Sequence, residues 1–391
     1  MSPPVIPWDH PALSIPGALD LSPAADGLAP RRLPAWTRAQ MPDPALELMA
    51  SMPSGVRLRL RLAGRRVELD VVETGLRFPG RDRRASAFDL LIDGDLVARR
   101  LADAGPTLAI DASTGSLTVT MDPGEASRVV FDDLPAGDKV VEIWLPHTAT
   151  VQLRALRADG VGPPPAATSQ RSWAHYGSSI SHGMEADGPS ETWPAIAARA
   201  AGVNLTSLGF AGQCHLDGLV ARTLRDGDFD LISLKLGINL INADSMRERV
   251  FVASVHSFLD TIRDAKPATP ILIVSPILCP VAEDAPGPTL SDGAKVYVVE
   301  RPAALTPGAL TLRRVRRLLA SIVGRRRTAG DVHLHHLDGL TLFDTADLAD
   351  LPDGLHPNAA GLRRMGERFA AHAFASGGPF APPPAAPALE S

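Results

Sequence analysis

Cysteine is nearly absent: Cys214 and Cys279 are the only two in 391 residues. Two thiols cannot build a disulfide framework, and neither sits in the paired spacing of a zinc site. Aromatic residues are few as well, at 5% of the chain. Those of the first third (Trp8, Trp36, Phe78, Phe88, Phe131 and Trp144) are scattered, whereas sugar-binding platforms need exposed ring faces. No apolar run approaches the roughly 20 residues that a membrane-spanning helix requires. The nearest, Ile271 to Pro276, has the length of a buried strand. Charge of one sign is not in excess either: 39 Lys and Arg stand against 44 Asp and Glu, a net charge of −5, which gives no electrostatic footprint for nucleic acid. The first residues, Met1 to Asp20, are Pro-rich and carry Asp9 and His10, without the basic-then-apolar order of an export signal. These absences predict a cytoplasmic protein that engages neither nucleic acid nor membrane, with a small-molecule or carbohydrate partner. Oligomeric state is not legible.

What is present is the composition of a folded chain, 45% apolar and 21% charged. At this length two cores are expected rather than one. The first third alternates with period two: Val56, Leu58, Leu60 and Leu62 interleave with Arg57, Arg59 and Arg61, and Val67, Leu69 and Val71 repeat the pattern. Strand-like runs follow at Ala87 to Ile92, Ser116 to Met121, Lys139 to Pro146 and Thr150 to Arg157, with Asp93-Gly94 as a hairpin turn. That spacing predicts an all-β sandwich or jelly roll over residues 31–160, behind an N-terminal extension at 1–30. The Pro-rich stretch Gly160 to Gln170 supplies a linker at 161–170.

Beyond it short apolar strands alternate with helical segments: Ser172 to Tyr176, Val203 to Leu208, Asp230 to Leu236, Pro270 to Ser275 and Val332 to Leu337. Such alternation demands crossover connections, so residues 171–376 read as α/β, a parallel sheet covered on both faces. Ser245 with Glu248 has the form of a capping box, and Thr306-Pro307 that of an N-cap and first helical residue. Arg313 to Arg327 reads as the solvated face of a helix with Val315, Leu318, Leu319 and Ile322 inward. The tail 377–391 is expected to be loose.

Ligands of open parallel sheets bind beyond the carboxyl ends of the strands, and four loops there carry polar groups. Tyr176-Gly177-Ser178-Ser179-Ile180-Ser181-His182-Gly183 is a glycine-flanked turn opening a helix, where a hydroxyl gains backbone donors and the positive helix end. One of those serines could equally be a plain helix cap. Gly209-Phe210-Ala211-Gly212-Gln213 offers a backbone N–H that can approach an oxyanion. Leu236-Gly237-Ile238-Asn239 adds an amide side chain, though Asn is also an ordinary turn former. In Asp353-Gly354-Leu355-His356-Pro357-Asn358 a carboxylate three residues ahead of a histidine can reach back to its Nδ1. Each has a bland explanation; their joint occurrence in order on one sheet edge points to catalysis. His175, His182 and His215 could line such a pocket, but read more naturally as structural. The trio His333, His335 and His336 is split by strand alternation between two faces and lacks a completing ligand.

At these residues the chain resembles the SGNH hydrolase superfamily (GDSL-like esterases and lipases), whose four blocks are marked by Ser, Gly, Asn and His, matched here by Ser179, Gly212, Asn239 and His356. Trp173 with Tyr176 to Gly183 is similar to the first block of bacterial GDSL-type esterases that carry an N-terminal β-domain. The resemblance spans about Ser172 to Ala373 and implies a three-layer α/β/α sandwich on a five-stranded parallel sheet. It implies a serine esterase: Ser179 attacks a short O-acyl ester, His356 is general base, Asp353 orients it, and the oxyanion is held by the Ser179 and Gly212 N–H groups and the Asn239 amide. That chemistry needs no metal and no organic cofactor. Two positions depart from the pattern. Ser178 stands where many relatives have Asp, and Leu240 follows Asn239 where they have Asp. The nucleophile turn and the oxyanion Asn therefore lack the carboxylates that ordinarily brace them.

Rival readings are an amide deacylase or an acyltransferase using the same site, or a carbohydrate-binding protein with an inert hydrolase domain. The excursion Cys279 to Arg301 is expected to shape the pocket as a partial lid, and the Arg-rich strands of the first domain to narrow access to it.

Overall fold

Period-two alternation carries the first part of the chain into strands. The computed structural model describes residues 3–78, 82–111, 118–164 and 170–382. The beginning of the strand expected from Ser116, the middle of the linker and the end of the tail lie outside the described residues. The strands are β1 (Val5–Ile6), β2 (Asp20–Ala24), β3 (Gly27–Arg31), β4 (Arg57–Leu62), β5 (Val67–Arg77), β6 (Ser86–Ile92), β7 (Asp95–Ala102), β8 (Thr107–Asp111), β9 (Thr118–Asp122), β10 (Ser127–Phe131), β11 (Lys139–Trp144) and β12 (Ala149–Ala158), with helix α1 (Pro44–Ser51) between β3 and β4. One sheet runs β2-β3-β12-β5-β8-β9, with β1 on β12 and β10 on β5, and the other runs β4-β11-β6-β7. Leu58, Leu60 and Val141 from the smaller sheet interdigitate with Leu69, Phe131 and Leu153 from the larger in one core, which makes a β-sandwich. Asp93 and Gly94 turn with φ of 51° and 94°, the twist a two-residue hairpin requires.

Of the N-terminal extension expected at 1–30, the described residues 3–30 lie in this domain instead. Val5–Ile6 pairs with β12, and β2 and β3 form a hairpin whose second strand joins β12 through Leu28 and Leu153. The reason is positional: Pro23 argues against a central strand, but β2 is an edge strand, where a missing N–H is tolerated.

The second half alternates as expected: β13 (Ser172–Gly177), α2 (Ser179–His182), α3 (Trp193–Ala201), β14 (Asn204–Gly209), α4 (Gly218–Asp226), β15 (Leu231–Lys235), α5 (Ile238–Asn242), α6 (Glu248–Arg263), β16 (Ile271–Val274), the hairpin β17 (Thr289–Ser291) and β18 (Val296–Val298), α7 (Leu312–Thr328), β19 (Leu334–Leu337) and α8 (Ala359–Ala373). Five strands form a parallel sheet ordered β14-β13-β15-β16-β19. Apolar side chains leave both of its faces. Ala174 and Tyr176 pack with α4, α6 and α7, and Trp173 packs with α3 and α8, giving a three-layer α/β/α domain. The strand order reverses between β13 and β15, so the crevice at their carboxyl ends is the place for a ligand.

Three local expectations change. The N-cap of α6 is Arg247 and no side chain caps it, because the Ser245 hydroxyl pairs with His215 Nδ1 at 3.1 Å. Helix α7 starts after Thr311, whose side chain accepts from Arg314 N–H, and Thr306 instead closes a short 3-10 turn. The tail is docked as far as it is described: Phe380 is fully buried, and Arg171 donates to the Phe380 and Ala381 carbonyls.

The sandwich is fastened to the carboxyl end of β14 by Arg32. Buried completely, its guanidinium donates to Met49 O and Met52 O of its own domain and to Ser207 O and Gly209 O of the other.

Candidate active site

Four of the loops leaving the parallel sheet converge. After β13 the chain turns at Ser178, in the N-cap position of α2 but making no side-chain cap, and Ser179 is the first residue of that one-turn helix. The helix stops at Gly183, where φ is 78° and a Cβ would lie 2.7 Å from Thr192 Cγ2. Ser179 Oγ lies 2.9 Å from His356 Nε2. His356 Nδ1 lies 2.7 Å from Asp353 Oδ2, while Asp353 Oδ1 accepts the Leu355 and His356 N–H groups at 2.8 and 2.7 Å. Partial burial works against the Asp353 carboxylate, but the hydrogen bonds from His356 and Leu355 prevail and hold its pKa at about 2. A carboxylate kept charged in this way fixes a proton on His356 Nδ1 and leaves Nε2 free to accept from Ser179.

Gly212 has φ of 71°, the left-handed region, and its N–H has no hydrogen-bond partner among the described residues. His215 Nε2 donates to Gly212 O at 3.0 Å and sets that loop. Asn239 lies in α5 and is 3% exposed; its Oδ1 accepts the Cys214 N–H at 3.0 Å. A backbone N–H can only donate, so the amide oxygen must face Cys214 and the NH2 group faces the cleft. This contact orients the Asn239 side chain. Sequence reasoning missed it, since a main-chain donor leaves no mark on residue identity.

Ser179, Gly212, Asn239 and His356 all line one cleft of about 420 Å³, walled by Ile180, Met184, Ala211, Leu355, Pro357 and Leu362. A larger hollow of about 1010 Å³ along α4 and α6 contains none of the four.

Two expectations about the surroundings are revised. No residue of Cys279 to Arg301 lines this cleft. The excursion supports the Asp353–His356 turn from outside: Val296 N–H donates to Asp353 O, Lys295 Nζ to Pro352 O, and Cys279 Sγ lies 3.1 Å from Gly354 O. Nor do the Arg-rich strands of the sandwich reach the cleft. Arg57 turns into the domain junction, donating to Asn204 Oδ1 and lying over Trp144. Arg84, from the segment before β6, holds the Met184 and Ala186 carbonyls behind the cleft wall. His182 donates to His147 O, away from the site. Among the described residues no group of His, Cys, Asp and Glu could hold a metal ion, His333, His335 and His336 included. No described helix is long and apolar enough to cross a membrane.

The model of the GDSL-like lipase/acylhydrolase family matches residues 175–364. No curated protein matches the chain. Among solved structures, a salicylyl-acyltransferase from a tetracycline biosynthetic pathway superposes with a TM-score of 0.77 at 29% identity, over 94% of this chain and 95% of that one. A GDSL-like lipase of Bacteroides ovatus gives a TM-score of 0.62 at 19% identity, over 92% and 94%. A family two carbohydrate esterase of Clostridium thermocellum gives 0.56 at 15% identity, over 81% and 91%. The last two speak to the fold alone. Residues 175–364 are thus a GDSL-like lipase/acylhydrolase domain, the frame of a hydrolytic or acyl-transferring enzyme, carried behind a β-sandwich.

Proposed function

We propose that the protein is a serine esterase that cleaves short O-acyl esters through an acyl-enzyme on Ser179. The observation that carries this reading is the unbroken line Ser179 Oγ, His356 Nε2, His356 Nδ1, Asp353 Oδ2, with steps of 2.9 and 2.7 Å on either side of the imidazole. His356 takes the hydroxyl proton as Ser179 attacks the acyl carbon and returns it to the leaving alcohol; water then repeats the sequence on the acyl-enzyme. The Ser179 N–H, the Gly212 N–H and the Asn239 NH2 receive the oxyanion. A cleft of about 420 Å³, near the small end of the roughly 300–1,000 Å³ usual for ligand pockets, favours a short acyl group on a sugar or other small metabolite.

Transfer of the acyl group to an alcohol other than water is a second reading. It is supported by the end-to-end similarity at 29% identity to a salicylyl-acyltransferase. The two share every step up to the acyl-enzyme and differ in what enters the cleft next.

The test is hydrolysis of p-nitrophenyl esters from acetate to octanoate by the wild type and Ser179→Ala, with folding checked by circular dichroism. Activity on the short esters confined to the wild type is the expected result. Equal rates from both proteins would remove Ser179 from the reaction. Product analysis with added alcohols then separates hydrolysis from transfer.

A further inference from the structure

Ser178, in the N-cap position of α2, does not brace the turn that carries Ser179: its hydroxyl is buried without a hydrogen-bond partner. A single helical turn such as α2 does not hold itself, because nucleation costs more than one turn returns. Something else must fix the direction of Ser179 Oγ.

Behind the turn lies a buried polar chain that the proposed mechanism does not use. Trp173 Nε1 donates to Ser233 Oγ at 2.9 Å; Ser233 Oγ lies 2.7 Å from His175 Nδ1; His175 Nε2 lies 2.8 Å from Ser181 Oγ. Trp173, His175, Ser181 and Ser233 are all fully buried. The edge-on contact of His175 with Trp193, 4.6 Å between ring centres, holds the imidazole in place. Burial, with the charge of Lys235 nearby, brings the His175 pKa to about 3. The ring is therefore neutral, accepting at one nitrogen and donating at the other.

Ser181 follows Ser179 by two residues on the same turn, and its seat is built for its hydroxyl. A Cβ on Gly177 would lie 2.2 Å from Ser181 Oγ, and one on Gly209 would lie 2.5 Å from the Ser181 carbonyl carbon. Both strand ends are thus glycine where the turn presses on them.

We infer that His175 is a positioning residue of the acyl-transfer reaction, gripping α2 through Ser181 so that Ser179 Oγ is held toward His356. This rests on the reading of Ser179 as nucleophile. The ring touches no substrate; it acts by setting the angle of attack, and misplacement of a reacting atom by about 1 Å can cost on the order of 100-fold in rate.

The experiment combines Ser181→Ala, His175→Phe, which keeps a ring against Trp193, and the double variant. It reads the rate of Ser179 labelling by a fluorophosphonate, together with kcat and KM on p-nitrophenyl acetate and the thermal midpoint. Each single variant is expected to lose about 10–100-fold in labelling rate and kcat with KM little changed. The double variant should be no slower than the slower single one, as for two residues acting through one contact. Ser181→Ala labelling at the wild-type rate, or losses that multiply in the double variant, would overturn the inference. A His175→Phe that does not fold leaves Ser181→Ala to decide. Wild-type protein that takes no label, or Ser179→Ala that takes it equally, would remove the nucleophile itself and the inference with it.

Discussion

The Asn239 amide is oriented by one main-chain donor, Cys214 N–H at 3.0 Å, and this makes a sharp substitution available. Asn239→Asp keeps an acceptor for that N–H while placing a negative charge where the NH2 group faces the cleft and, in the proposed mechanism, the oxyanion. We expect kcat on p-nitrophenyl acetate to fall by about 10²–10³ or more with the fold retained; an unchanged kcat would take Asn239 out of the oxyanion site. Asp353 is tested through pH. Its folded pKa of about 2 lies below the roughly 3.9 of an unfolded Asp. Its stabilisation is therefore complete above the unfolded value and lost as pH falls toward 2. In denaturant titrations the stability gap between wild type and Asp353→Asn should stay level from pH 5 to pH 8 and shrink below pH 4. At neutral pH that variant should lose about 10³–10⁴ in kcat, because an amide no longer enforces the useful tautomer of His356. Ser179, Gly212 and Asn239 can be singled out in the sequence because each is a reactive or conformationally special residue type just past a strand, and Asp353 and His356 because they stand three residues apart ahead of the last helix. Cys214 cannot, since its contribution is a backbone group that any residue but proline supplies.

Among elements, legibility follows how far a feature is determined locally. The five parallel strands stand out because runs such as Ile271–Val274 are apolar on both faces, as burial between two helix layers demands. Helix starts were harder: Ser245 and Thr306 both look like caps, but tertiary contacts claimed the Ser245 hydroxyl for His215 and a 3-10 turn absorbed Thr306. The excursion after β16 announced its length and nothing about where it lands. It lands on the Asp353–His356 turn through Lys295, Val296 and Cys279, so under the proposed mechanism it should act on rate rather than on selectivity. Replacing residues 289–298 by a short Gly-Ser bridge is expected to lower kcat by about 10-fold or more for every ester from acetate to octanoate alike, provided a thermal melt shows a folded protein. A changed chain-length preference would instead restore the role of a lid.

At the scale of the molecule, the sandwich and the α/β/α domain share buried polar groups that neither could leave unpaired. Burial brings the Arg32 pKa down to about 9, so its guanidinium remains charged at neutral pH. Four carbonyls and the face of Phe210, 4.9 Å away, surround it. Asp89 of β6 receives the Ser190 N–H and hydroxyl across the same junction, and Arg99 of β7 joins Asp89 to Glu191. Length and the change of hydrophobic period predict two domains but could not reveal this dependence, because a buried Arg paired with main-chain oxygens looks in sequence like any surface Arg. Arg32→Met strands two buried acceptors, Ser207 O and Gly209 O, each worth about 1–3 kcal/mol when left unsatisfied, while Met49 O and Met52 O keep the Met52 and Ser54 N–H groups. Since the neighbours relax, a net loss of about 2–4 kcal/mol is expected, seen as a fall in thermal midpoint of roughly 5–10 °C. Because Gly209 O anchors the loop that carries Gly212, kcat should fall as well, with the loss larger than in a surface control such as Arg225→Met. A chain beginning at residue 170 removes every one of these partners at once. It should be protease-sensitive and inactive, whereas a truncated chain with the full-length thermal midpoint and esterase rate would mean that the junction only tethers two independent domains.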